Sequence, residues 1–273
     1  MRVSVVVLTY ERPDALALVL RGLARQAAPP AEVVVSDDGS GPSTRAVVEA
    51  VAGAFPGKLA FVTEEHRGAR MSYARNRGIA ATTGDYVIFL DGDVIPGRHF
   101  VADHVELARP GCFVQGSRVL ADERVTRELL ATGRLDVRPW ERGLERRRNA
   151  LRVAPLRRLW ARPNRSSRGA KSCNLAFWRS DLVAMNGFNE EMEGWGLEDD
   201  ELVERALRLG LRRRSLRMGG VVVHLWHPQR APDPGTPNRP IYERTLAGKE
   251  YRCARGLDGH LSAAASGGRA QPA

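Results

Sequence analysis

The chain opens by alternating short apolar runs with stretches of helical period. Val3-Ser4-Val5-Val6-Val7-Leu8 is a nearly unbroken β-prone run, the pattern of a strand buried on both faces. Pro13-Asp14 opens a helix whose apolar positions Leu16, Val19, Leu20 and Leu23 share one side, and Ala28-Pro29-Pro30 ends it. Glu32 to Ser36 predicts a second strand, 43–52 a helix, Lys58 to Thr63 a third strand, 71–81 a helix, and Tyr86-Val87-Ile88-Phe89-Leu90 a fourth strand. Strands alternating with helices predict an α/β protein: a single Rossmann-like, mostly parallel twisted sheet with flanking helices. Later, Ser172 to Trp178 and Val221 to His224 predict strands, with a helix from Glu198 between them whose apolar positions are Leu202, Ala206 and Leu209. The remainder is Pro-rich to Pro240, helical in pattern over 241–255, and from about Leu257 has the composition of a disordered tail.

Candidate chemistry gathers at the strand ends, where an open α/β sheet places its ligand crevice. The fourth strand runs into Asp91-Gly92-Asp93, and the second into Asp37-Asp38-Gly39-Ser40. Two carboxylates around a glycine suit a hard cation shared with substrate phosphates, although Asp-Gly is also turn chemistry. One of Asp37 and Asp38 suits the imide N–H of a uracil ring, the alternative being turn formation and helix capping. Arg67-Gly68-Ala69-Arg70 followed by Tyr73-Ala74-Arg75-Asn76-Arg77 places arginine forks where a loop enters a helix, a diphosphate-binding arrangement. Arg77 reads instead as part of a solvated face. Gly194-Trp195-Gly196-Leu197-Glu198-Asp199-Asp200-Glu201 is a second acidic cluster, with four acids where helix capping needs fewer. Its glycine-flanked tryptophan offers a flat face to a sugar ring. Val221 to Leu225 carries His224, with His227 beyond it beside Pro228; neutral imidazole is a metal ligand.

Composition narrows the partners. The 273 residues carry a formal charge of +10, mostly as arginine, which favours an anionic partner. The basic insertion 134–170 threads Leu144, Leu151, Val153, Leu156, Leu159 and Trp160 among its arginines, so that 142–168 could meet an anionic membrane peripherally or grip an anionic acceptor. Nucleic acid would explain the charge but not the acidic strand ends. Cys112, Cys173 and Cys253 form neither a disulfide framework nor a zinc motif, which points to a reducing compartment; with no signal-peptide pattern, a cytoplasmic location is expected. Thr9-Tyr10-Glu11-Arg12 lacks the glycines of a dinucleotide fingerprint, and no P-loop occurs. A nucleotidyltransferase, also cation-dependent on an α/β sheet, remains as an alternative.

In order along the chain, Val5-Val6-Val7-Leu8-Thr9-Tyr10, Ser36-Asp37-Asp38-Gly39-Ser40, Gly68-Ala69-Arg70 with Ala74-Arg75-Asn76, Asp91-Gly92-Asp93, Asn186-Gly187-Phe188, the Gly194–Glu201 run and His224 resemble the family 2 glycosyltransferases of GT-A fold. The C-terminal half is similar to the β-1,4-galactosyltransferase and chondroitin-polymerase type. The resemblance implies a donor-binding half over 1–120, an acceptor-binding and catalytic half over 121–228, and a partly disordered extension over 229–273. It implies a nucleotide-sugar donor, UDP-linked, and inverting transfer to a hydroxyl of a glycan, glycolipid or other acceptor. By the same resemblance Tyr10, Asp37 or Asp38, and Arg70 line the uridine pocket, with Arg75, Asn76, Asp91 and Trp195 on the donor. Asp93 with Asp91 and His224 would hold Mn²⁺ or Mg²⁺, His227 being the poorer candidate. Asp199 becomes the general base, with Glu198 and Asp200 orienting sugar hydroxyls.

Overall fold

The computed structural model describes residues 1–228 and 236–265. Strands β1 (Val3–Thr9), β2 (Glu32–Asp37) and β3 (Lys58–Val62) lie side by side in parallel, and β4 (Tyr86–Asp91) pairs in parallel with the other edge of β1. Helices α1 (Pro13–Ala24), α2 (Pro42–Ala52) and α3 (Met71–Ala80) are the crossovers. The apolar run of β1 serves two cores because successive side chains point to opposite faces. Val3, Val5 and Val7 pack with Leu16, Val19, Leu20 and Leu23 of α1. Val6 packs with Ile79 of α3 and with Leu202, Val203 and Ala206 from much later in the chain.

Beyond β4 come β5 (Val94–Pro96), α4 (Phe100–Leu107), β6 (Cys112–Gln115), β7 (Val119–Ala121), α5 (Glu123–Thr132) and β8 (Leu144–Glu145). Helix α6 (Ala154–Trp160), β9 (Leu175–Trp178), α7 (Arg179–Met185), α8 (Glu198–Arg208), β10 (Arg212–Ser215) and β11 (Val222–His224) follow. The main sheet has seven strands in the order β10-β6-β9-β4-β1-β2-β3, with β9 antiparallel to both of its neighbours. A second sheet of order β5-β11-β7-β8 departs from the single sheet expected. Its strands are two or three residues long, too short for an alternation pattern to register.

Two further expectations change. The strand expected from Ser172 begins at Leu175, after a 3₁₀ turn over Ser172–Asn174. The tail expected to be disordered from Leu257 instead forms helix α10 (Leu257–Ala265), preceded by α9 (Arg239–Ala247) in place of a helix over 241–255. Leu257 is fully buried in the core that contains α3 and α8, and Asn186 Oδ1 accepts from Asp258 N at 2.7 Å. The rest of the expected tail, 266–273, and 229–235 of the Pro-rich stretch lie outside the described residues.

The basic insertion is only partly a solvated surface. Arg157 is 2 % exposed and lies 2.8 Å from Asp103, which also takes Arg152, while Glu106 receives Arg157 and Arg158. These pairs tie α6 to α4. Leu151, Val153, Leu156, Leu159 and Trp160 remain exposed beside them. No helix among the described residues is long and apolar enough to cross a membrane.

Candidate active site

Parallel pairing brings the strand ends into one row. Leu8 lies opposite Asp91 and Thr9 opposite Asp37, so the ends of β1, β2 and β4 open onto the same crevice. Gly92 is required by this closeness: a Cβ there would stand 2.7 Å from Thr9 Oγ1 and 3.1 Å from the Leu8 carbonyl. Leu8, Thr9, Tyr10, Arg12, Asp38, Met71, Arg75, Asp91, Gly92 and Asp93 line the resulting pocket of about 180 Å³.

The two aspartates after β2 take different work. Asp37 accepts from Ser40 N at 2.9 Å, from Thr63 Oγ1 at 2.7 Å and from Ser40 Oγ, so its carboxylate is spent on the turn. Asp38 accepts from Arg70 N at 3.1 Å through Oδ2, while its buried Oδ1 has no hydrogen-bond partner. Burial pushes the Asp38 carboxyl up, against the pull of the Arg70 N–H and of the His66, Arg70 and Arg77 charges. A donor brought to that oxygen would satisfy it. Tyr10 stacks on His66 with centroids 4.5 Å apart.

Two of the arginines around the start of α3 are committed within the protein. Arg70 points its guanidinium to Glu64 at 2.8 Å and over the Tyr73 ring. Arg77 is not on a solvated face: it is largely buried against the Asp37 carbonyl and lies 3.5 Å from Glu64. Asn76 is fully buried, its amide donating to the Phe188 carbonyl and to Glu190 and accepting from Phe188 N; it ties α3 to the loop after α7 and is not among the residues lining the pocket.

Arg75 is the hub. Its buried guanidinium lies 3.4 Å from Asp91 Oδ1, 3.5 Å from Glu198 Oε1 and 3.7 Å from Asp199 Oδ1. Burial favours loss of its charge, but Asp199, Asp91 and Glu198 outweigh that and raise its pKa above the ordinary value. Burial pushes Asp91 up to about 6, Arg75 opposing and the Asp93 and Asp199 charges adding to the rise. Burial and the adjacent Asp199 push Glu198 up to about 7, with Arg75 pulling the other way.

The acidic run divides by helical period. Glu198 Oε2 accepts from Gly196 N at 2.9 Å, and Asp199 Oδ2 accepts from Ser172 N at 3.0 Å, leaving the buried Asp199 Oδ1 without a hydrogen bond. Glu201 turns inward to a buried ion pair with Arg205 at 2.8 Å. Asp200 is partly exposed, its carboxyl raised by burial despite the Lys171 charge. Trp195 is 50 % exposed, on a turn where Gly194, Gly196 and Leu197 all have positive φ. Leu197 is costly in that conformation, and the turn is held by Gly194 N donating to the Ala69 carbonyl and by Asn238 Nδ2 donating to the Gly196 carbonyl.

Three residues at and beside the pocket could hold a cation. Asp93, His224 and His227 each offer a ligand atom, all within 4.8 Å of one another. Burial lowers the His224 pKa to about 4, with Asp93 opposing, so its ring is the neutral imidazole that a metal requires. His227 Nε2 is 3.6 Å from Asp93 and His224 Nε2 is 3.9 Å, so the position beside Pro228 does not remove His227 from the group. Asp91, paired with Arg75, stands outside it.

A sequence model described as glycosyl transferase family 2 matches residues 4–158, more than half of the 273. The chain belongs to glycosyl transferase family 2. A second model, the N-terminal domain of galactosyltransferase, matches residues 159–228. Validoxylamine A glucosyltransferase of Streptomyces hygroscopicus subsp. limoneus is 32 % identical over 221 residues, 73 % of this chain and 46 % of the relative. Chondroitin synthase of Escherichia coli is 26 % identical over 243 residues, 81 % of this chain and 34 % of the synthase. The chain thus spans less than half the length of these two relatives. Among solved structures, S. aureus TarS 1–349 in complex with UDP-GlcNAc superposes with a TM-score of 0.64 at 17 % identity, covering 95 % of this chain and 69 % of that one. The mannosyltransferase PcManGT from Pyrobaculum calidifontis, in complex with GDP-Man and Mn²⁺, gives 0.56 at 24 %, covering 99 % and 66 %. The fold of this family 2 chain is GT-A.

Sequence reasoning passes over Arg12, His66 and Asn238. Arg12 Nη1 lies 3.7 Å from Asp93 Oδ2 and lines the pocket. Its place directly after the first strand end is the signal that could have found it. Asn238 reaches its role only by tertiary return of the chain, which no local pattern announces.

Proposed function

We propose that this family 2 chain is an inverting glycosyltransferase that moves a sugar from a UDP-sugar to an acceptor hydroxyl by direct displacement. One observation carries the reading: the buried Asp199 Oδ1, free of hydrogen bonds, lies on the same Arg75 guanidinium that holds Asp91 at the end of β4. Nucleophile activation and leaving-group binding thereby meet in one crevice.

Asp199 takes the acceptor hydroxyl proton as that oxygen bonds to the anomeric carbon. The bond from that carbon to the diphosphate breaks, UDP departs, and the configuration inverts. Positioned general bases are typically worth about 10²–10⁴-fold in rate. Arg75 keeps Asp199 oriented and tolerates its negative charge in a buried site. Glu198, with a pKa of about 7, is suited to share hydrogen bonds with sugar hydroxyls as donor or acceptor. Trp195 offers its exposed face to a sugar ring, and Arg12 offers a fork to the diphosphate. Asp93, His224 and His227 would hold Mn²⁺ or Mg²⁺, which when bound supplies Lewis-acid neutralisation of the departing diphosphate.

The uridine assignment rests on Asp38, whose free oxygen suits the imide N–H, and on Tyr10 beside it. Asp38→Ala should weaken UDP binding roughly 10-fold, the worth of one hydrogen bond to a charged group, and should cost less stability than Asp37→Ala because only the Arg70 N–H loses its acceptor. Asp37→Ala should do the reverse, costing about 1–3 kcal/mol of stability in denaturant titration as its turn donors lose their acceptor. Calorimetry with UDP and GDP side by side tests the base: tighter GDP binding would overturn the uridine reading. Asp93→Ala should abolish the Mn²⁺ dependence of UDP binding; unchanged dependence would remove the cation from Asp93. Incubation with UDP-sugars should release UDP and not pyrophosphate, which excludes a nucleotidyltransferase.

A further inference from the structure

A second cleft, of about 150 Å³, opens between β6, β10 and the segment leading into β9. Its cationic lining is Arg118, Arg146, Lys171, Arg213 and Arg217, and no acidic residue lines it.

The lining itself supplies no carboxylate to these charges, and only Asp91 and Asp93 on Arg118 and Asp200 on Lys171 reach them from outside it. Among the described residues, none of the five forms a close ion pair, and the Nε atoms of Arg118 and Arg213 are buried without hydrogen-bond partners. Arg213 spends one nitrogen on the Ser166 and Arg168 carbonyls. Burial first, then the charge of Arg217, lowers its pKa. Like charges gathered in a concave, partly desolvated site lower their energy when an anion enters.

The cleft adjoins the base through three consecutive residues. Lys171 lines the cleft, Ser172 N holds Asp199 Oδ2 at 3.0 Å, and Cys173 lines the cleft and accepts from Arg118 Nη1 at 3.3 Å. The residue that holds Asp199 is thus flanked on both sides by residues of the cationic cleft. We propose that this cleft binds an anionic substituent of the acceptor glycan, a carboxylate, sulfate or phosphate group. The inference rests on Asp199 being the base of a transferase, as argued above, and adds the charge class of the acceptor.

Inorganic sulfate is the probe, titrated into the whole chain and followed by ¹H–¹⁵N NMR, with UDP affinity in Mn²⁺ measured on the same samples. Wild type should show saturable shifts around residues 115–118 and 171–174. The double substitution Arg146→Gln with Arg217→Gln removes two exposed cations and should weaken sulfate binding roughly 10-fold or more, the loss of one to two charge-assisted hydrogen bonds, while UDP affinity is unchanged. Absence of saturable binding in wild type, equal affinity in the double variant, or loss of UDP affinity in that variant would overturn the proposal. Binding to phosphatidylglycerol vesicles that depends on the same two arginines would also overturn it, reassigning the cleft to a lipid headgroup. Failure of wild type to bind UDP at all would instead sink the transferase reading, and the sulfate titration separates the two cases.

Discussion

Asp199→Asn should lower transfer by at least about 10²-fold while leaving UDP and Mn²⁺ affinity close to wild type. The amide keeps the side chain's shape and can still accept from Ser172 N, so the loop before β9 stays in place. What it loses is the capacity to take a proton. Removing a negative charge beside Arg75 also relieves no steric contact, so the fold should survive. The measurement is paired: turnover of a UDP-sugar with acceptor, and calorimetric UDP binding with Mn²⁺. Near-normal turnover would remove Asp199 as the base; loss of UDP binding would make it part of the donor site instead.

Arg75→Met is expected to have the larger effect on the protein itself. Methionine fills most of the space but leaves Asp91, Glu198 and Asp199 facing one another without the cation they share. Breaking a buried ion pair from one side typically costs about 3–5 kcal/mol, because charge remains buried and uncompensated. Denaturant titration should show that loss at pH 8. The loss should shrink at pH 5.5, and the sign follows from Glu198. Its folded pKa of about 7 lies above the ordinary carboxylate value of 4.5, so the folded state binds the extra proton between those values and stability falls as pH rises through that window. Without Arg75 the folded pKa moves higher still, which widens the window and deepens the fall. A deficit independent of pH would mean that Arg75 acts by packing alone, through its contact with Phe188.

The strand ends are legible in the sequence because each obeys a local rule. The apolar runs of β1, β2 and β4 stop abruptly at polar residues, and parallel pairing then brings those stops together without further information. The choice between Asp37 and Asp38 is not legible. It depends on Thr63 and Ser40 taking one carboxylate, and Thr63 arrives from a different strand end. Arg75 is legible as a residue of interest but not in its role, since its partners lie 16, 123 and 124 positions away. The same limit hides Arg157, which reads as one more surface arginine until Asp103 and Glu106 close on it. Leu257 is lost for the opposite reason: an Ala/Gly/Ser neighbourhood dilutes the one apolar side chain that anchors the helix.

The order of the main sheet bears on how such a scaffold can be recombined. Reading across it, β10 and β9 from the later half of the chain alternate with β6 and β4 from the earlier half. The two family matches meet between residues 158 and 159, inside α6. A chimaera joined at that point, or at 120, would inherit β9 from one parent and both of its hydrogen-bonding neighbours from the other. Any mismatch there leaves β4 and β6 as open edges in the middle of a sheet, the place where aggregation begins. The donor and acceptor halves proposed for this chain are thus stretches of sequence that cannot be traded as parts. New specificities on this frame have to be written into the loops at the strand ends, one crevice wall at a time.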